Sequence, residues 1–127
     1  MKVKEIMSPK IYKISEEESL YGAFKAMHEK GIKRVFVGDD DEINGVISYR
    51  DLVDVFVNRG LFELMDIKVK DVALKEILKI NENDDVKDAA QIMVHADVSA
   101  LLVVNDKNKP VGVVSQTDIL RTVVKEL

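Results

Sequence analysis

Gly45-Val46-Ile47-Ser48-Tyr49-Arg50-Asp51 and Gly112-Val113-Val114-Ser115-Gln116-Thr117-Asp118 are one phrase written twice in the same chain. In each copy a glycine opens a short β-favouring run. A serine ends it, and an aspartate stands three residues after the serine. Serine suits a helix N-cap, and an acidic residue three positions later completes a capping box. Each phrase therefore predicts a strand that turns directly into a helix.

The repetition extends outward on both sides. Val3-Lys4-Glu5-Ile6-Met7 matches Val69-Lys70-Asp71-Val72-Ala73, and Ile11-Tyr12-Lys13-Ile14 matches Ile77-Leu78-Lys79-Ile80. Ala23 and Met27 match Ala89 and Met93, with one residue inserted in the later loop of the second copy. The copies run over residues 3–57 and 69–124, and residues 58–68 join them. Such self-similarity marks a repeat architecture. Each copy predicts strand, helix, strand, strand, helix. The strands are Ile11–Ile14, Arg34–Val37 and Gly45–Ser48, then Ile77–Ile80, Ala100–Val104 and Val111–Ser115. Ser15 with Glu18, and Asn81 with Asp84, predict the caps of the first helix in each copy. Gly31 and Asp97 predict where those helices end. The closing helices are predicted over Asp51–Asn58 and Asp118–Glu126. A further helical turn is predicted at Leu61–Met65. The fold class is α+β (α/β). A copy of about 55–60 residues buries too little surface to be comfortable alone. The expectation is one module of two pseudo-symmetric repeats packed through their sheets, with equivalent clefts where the copies meet.

The chain has 127 residues, of which 46% are hydrophobic and 33% charged, and it contains no cysteine. Disulfides, thiolate catalysis and zinc fingers are excluded, and a reducing cytoplasmic location is expected. Hydrophobic stretches are interrupted by charge, so neither a membrane span nor a secretory signal is expected. Nineteen basic residues against 23 acidic ones give a formal charge of −4, which disfavours nucleic acid. His28 and His95 do not align between the copies and lack metal-ligand spacing. The Asp39–Glu42 run lacks the spaced ligands of a calcium loop. No nucleophile stands beside a general base, so an enzyme is not expected.

The chemistry available at the repeated phrase is that of a helix N-terminus, which favours phosphate. A serine hydroxyl adds a donor, and a carboxylate can accept from paired ribose hydroxyls. A plain capping box reads equally well on these residues. Arg50, Lys33 and Arg34 can add phosphate charge to the first copy, where the second has Thr117, Ser99 and Ala100. Solvated residues at a strand start are the alternative for Lys33 and Arg34.

The ordered set of matches, present twice and filling the chain, resembles a tandem pair of CBS domains, often called a Bateman module. The resemblance implies a regulatory module with an adenosine-containing ligand, AMP, ADP, ATP or S-adenosylmethionine, and a homodimer shaped as a disk of two modules. It implies ribose contacts from Asp51 and Asp118. It implies phosphate contacts from Ser48, Ser115 and Arg50, with Thr117 at the position matching Arg50. It implies base-wall positions at Ser8, Ile11, Leu74 and Ile77. Any output passes to a separate effector protein. A ligand-free dimerisation scaffold and a nucleic-acid-binding regulator are the rival readings. Copy one carries the family's Ile6-Met7-Ser8-Pro9 opening, whereas copy two reads Val72-Ala73-Leu74-Lys75.

Overall fold

The structure, a computed structural model, describes residues 1–126. Two compact units emerge, one of residues 12–77 and one of residues 1–11 with residues 78 onward. Neither coincides with a sequence repeat, because the opening segment of each repeat lies in the unit built around the other.

The unit of residues 12–77 holds strand β1 (Lys13–Ile14), helix α1 (Leu20–Lys30), strands β2 (Arg34–Gly38) and β3 (Ile43–Ser48), and helices α2 (Tyr49–Arg59) and α3 (Glu63–Asp66). Its sheet has the order β1-β2-β3, with β1 parallel and β3 antiparallel to β2. Alternation along the strands sends Val35, Val37 and Ile47 into a core with Leu20, Ala23 and Met27 of α1 and Leu52 and Val55 of α2. Val69, from the opening of the second repeat, completes this core and is fully buried. Its amide donates to the Glu18 carbonyl at 2.7 Å.

The other unit repeats the plan with β4 (Lys79–Asn81), α4 (Val86–Ala96), β5 (Ala100–Val104), β6 (Pro110–Ser115) and α5 (Gln116–Glu126). The sheet order is β4-β5-β6. Ile80, Ala89, Met93, Leu101, Val103 and Val114 form the core, and Val3 of the first repeat's opening is buried among them. The Val3 amide donates to the Asp84 carbonyl at 2.8 Å.

Several local expectations move. Helix α1 is capped by Ser19, whose hydroxyl accepts from the Gly22 amide, and α4 by Asp85, whose carboxylate accepts from the Lys87 amide. Ser15 instead closes a turn, its Oγ accepting from the Glu17 amide at 3.2 Å. Asn81 does the same, its Oδ1 accepting from the Asn83 amide at 2.8 Å. These residues sit one turn too early because each caps a bend before the helix, a use serine and asparagine share with the N-cap. The first strands are shorter than expected, and α2 and α5 begin directly after Ser48 and Ser115. Gly31 and Asp97 both end their helices in the left-handed region, at φ 65° and 54°.

One feature of the repeated phrase is explained by packing. The opening segments run antiparallel beside the third strand of each sheet, pairing Leu74 with Val46 and Ser8 with Val113. A Cβ at Gly45 would lie 3.0 Å from the Leu74 carbonyl oxygen, and one at Gly112 would lie 2.5 Å from that of Ser8. The glycine of each phrase is thus the clearance under a crossing segment.

Candidate functional site

Ser48 and Asp51 form a closed capping box at the start of α2. The Asp51 Oδ2 accepts from the Ser48 amide at 2.8 Å and from its hydroxyl at 3.0 Å, and the Ser48 Oγ accepts from the Asp51 amide at 3.4 Å. Ser115 and Asp118 reproduce it at 2.8, 3.0 and 3.2 Å. The box engages one carboxylate oxygen in each copy and leaves Oδ1 outside it. Both pairs are half-buried. The first amide of each helix is held by the strand opposite, Tyr49 donating to the Lys33 carbonyl at 3.0 Å and Gln116 to that of Ser99 at 2.9 Å.

The strand register decides which side chains join the serines. Arg34 pairs directly with Ser48, and Ala100 with Ser115. Directly opposed residues of an antiparallel pair share a face. Val35, Val37 and Ile47 occupy the core face, so Arg34, Phe36, Val46 and Ser48 share the other one. Leu74, paired to Val46, joins that set. The equivalent face of the second sheet holds Ala100, Leu102, Val113, Ser115 and, through its pairing to Val113, Ser8. Burial draws the Arg34 guanidinium below its ordinary pKa. The Lys33 side chain is exposed. Arg50 and Asp51 meet on a shallow cavity of about 460 Å³ along α2 with Val53, Asp54 and Val57; Ser48 and Arg34 do not line it.

The base-wall positions change partners. Ser8 and Ile11 belong to the unit of Ser115, Thr117 and Asp118, whereas Ile77 belongs to that of Ser48, Arg50 and Asp51. One charged residue escaped the sequence reading. Arg121 brings Nη1 to 3.8 Å from the Asp118 Oδ1. Its counterpart in the first copy is Asp54, so a cation one helical turn beyond the aspartate was the available signal.

Among the described residues no cluster of side chains is arranged to hold a metal ion. No helix among the described residues is long and apolar enough to cross a membrane. His28 stacks on Phe24 with ring centroids 5.7 Å apart, and the His95 Nδ1 lies 2.8 Å from the Gln91 carbonyl oxygen. In the acidic loop, Asp39 Oδ1 accepts from the amides of Asp41 and Glu42, and Asp40 pairs with Lys13 at 2.7 Å.

A profile of the CBS domain matches residues 3–58 and 69–125. An uncharacterized protein of Methanocaldococcus jannaschii is 32% identical over 123 residues, covering 97% of this chain and 40% of that protein. The chain spans 43% and 48% of two other curated relatives. A crystallised CBS domain pair in complex with 5′-methylthioadenosine and S-adenosyl-L-methionine superposes with a TM-score of 0.87 at 20% identity, covering 100% of this chain and 98% of that one. The CBS domain of a bacterial CNNM/CorC family Mg²⁺ transporter in complex with ATP gives 0.85 at 24% identity, covering 100% and 89%. Both likenesses are of fold.

Proposed function

The chain belongs to the CBS-domain family, and from that footing we propose that it is a regulatory module that binds an adenosine-containing ligand and signals its occupancy to a separate effector protein. The candidate ligands are AMP, ADP, ATP and S-adenosylmethionine. The observation that carries this reading is the pairing of a half-buried guanidinium, Arg34, with the N-cap serine of α2 on one sheet face. A helix N-terminus, a hydroxyl and two arginines together suit a phosphate. In this reading Ser48, Arg34 and Arg50 receive phosphate, with Lys33 contributing charge from the rim. Asp51 and Asp118 use the carboxylate oxygen outside the capping box to accept from ribose hydroxyls. Ile77 walls the base beside Asp51, and Ser8 and Ile11 wall it beside Asp118. Ser115 and Thr117 supply hydroxyls in place of cationic groups. The complexes with ATP and with S-adenosyl-L-methionine among proteins of the same fold support the ligand class. No catalytic step is assigned to the chain. Its lack of cysteine suits a reducing compartment such as the cytoplasm.

Calorimetry with the four ligands tests the reading. At least one binds. Absence of heat with all four at millimolar concentration overturns it.

A specific observation favours a second, compatible reading. Val53, Phe56 and Val57 of α2, and Leu120, Val123 and Val124 of α5, are each more than half exposed. An exposed apolar face on a helix marks association. In this reading the chain is a homodimer. A dimer whose melting temperature rises with none of the ligands supports the scaffold alone, because a ligand that binds only the native state must raise it.

A further inference from the structure

A second cavity lies in the unit of residues 12–77, away from the serine and arginine face. Its volume is about 340 Å³, and Glu16, Val37, Asn44, Gly45, Lys70, Asp71, Ala73 and Lys75 line it. Val37 and Gly45 oppose each other in the β2–β3 register on the core side of the sheet. Leu74, on the other side, separates Ala73 from Lys75.

The internal repeat supplies a control for this space. Gly45 matches Gly112, Ala73 matches Met7, Asn44 matches Val111 and Lys75 matches Pro9. In the second sheet the space is filled. The Met7 Sδ would lie 2.9 Å from a Cβ at Gly112, and both Met7 and Val111 pack against the core. In the first sheet the nearest side-chain atom to the same point above Gly45 is the Ala73 Cβ at 3.4 Å. The β-bulge places Asn44 where its counterpart Val111 meets apolar side chains. Three replacements therefore act together. One removes volume, one exchanges an apolar side chain for an amide, and one adds an ammonium group.

The lining carries both signs of charge. Lys70 and Lys75 present ammonium groups, Glu16 and Asp71 carboxylates, and Asn44 both a donor and an acceptor. The Lys70 Nζ is fixed by Glu17 at 2.9 Å. Lys75 makes no hydrogen bond or ion pair among the described residues. The apolar floor is small, Val37 and Ala73, with no aromatic ring to stack a base. The volume sits at the low end of the roughly 300–1,000 Å³ of small-molecule pockets. We propose that this cavity binds a small zwitterion of the α-amino acid class, its carboxylate between Lys75 and Lys70 and its ammonium group against Glu16 and Asp71. Asn44 bridges the two ends, and a short side chain lies on Val37 and Ala73.

The test is a titration of the full, ¹⁵N-labelled chain with the twenty L-α-amino acids, followed by the amide signals of Asn44, Gly45 and Ala73. Acetate and methylamine, which carry one end each, serve as controls. At least one amino acid shifts these signals with saturation at or below about 10 mM, an affinity of a few kcal/mol. Each control, at the same concentration, moves them little. Ala73→Met, which transplants the residue the chain already uses in its other sheet, abolishes the response while the remaining spectrum stays folded. Lys75→Ala weakens the response tenfold or more and covers the case in which Met is not accommodated. No shift with any amino acid overturns the proposal. So does an equal response to acetate, which makes the cavity an anion site only. A response unchanged in both variants overturns it as well, because the ligand then lies elsewhere.

Discussion

The unit built on β1–β3 and the unit built on β4–β6 share one plan and differ in charge. Both turn a strand into a helix through a Ser-x-x-Asp box with nearly the same distances. Around the first box stand Arg34, Arg50 and Asp54; at the matching positions of the second stand Ala100, Thr117 and Arg121. In the first unit the cation stands at the residue before the aspartate, and in the second it stands one turn beyond it, 3.8 Å from the carboxylate. The box caps a helix in both units, whereas the residues around it differ. The exchanged openings add a second lesson. Along the chain, Leu74 and Thr117 are both departures of the second copy. In space, each unit receives one, with Leu74 beside Ser48 and Thr117 in the unit of Ser8.

The largest expected effect strikes at the exchange itself. Val3→Ala and Val69→Ala each remove a fully buried side chain, and each should cost about 2 kcal/mol. Native-state hydrogen exchange should show Val3→Ala loosening β5 and β6 while β2 and β3 keep their protection, with Val69→Ala doing the reverse. If Val3→Ala loosens β2 and β3 first, the comparison between crossed units breaks.

Next comes the charge difference. Arg50→Ala should weaken AMP, ADP and ATP roughly tenfold, the cost of a charge-assisted hydrogen bond, and leave S-adenosylmethionine, which has no phosphate, little changed. Thr117→Arg should strengthen phosphate-bearing ligands at the other unit by a similar factor. Calorimetry reads both, and equal losses for all four ligands in Arg50→Ala would show that the arginine does not discriminate phosphate.

The smallest effect concerns a clamp that only one unit has. Glu17 accepts from Lys68 at 2.7 Å and from Lys70 at 2.9 Å, where the other unit has Asn83, Lys2 and Lys4 at the matching positions. The hydrogen bonds and charges of these lysines lower the Glu17 pKa from 4.5 to about 2. A folded-state pKa below the unfolded one means stabilisation above pH 4.5 that is lost as pH falls toward 2. The groups are half-exposed, so the effect is modest and screened by salt. Glu17→Gln should melt slightly below the native chain at pH 6, and the gap should close by about pH 2. A gap that persists at acid pH would point to packing in place of charge.

The repeat, the order of elements and both capping boxes were legible in the sequence because each rests on local periodicity and spacing. The destination of Val3 and Val69 was not. Their neighbours along the chain are nearly identical, so nothing local says which sheet each will join. The caps of α1 and α4 were misplaced for a related reason. Ser15 and Ser19 are both good cap residues, and only the packing of Leu20 into the core selects the second. The pairing of Arg34 with Ser48 depends on strand register. The proposed site residues were legible as types at positions, while their grouping awaited the fold.

The crossing of the two openings also sets an order of assembly. Residues 12–77 are one uninterrupted stretch that contains every strand, helix and strap of its unit. Emerging from the ribosome, that stretch can close on itself as soon as Ile77 is out. The other unit joins residues 1–11 to a stretch that starts only at Leu78, so its opening segment waits unpaired until the stretch beyond Ile77 has been made. The half of the module named by the second repeat is finished by a segment made before the first repeat's own sheet.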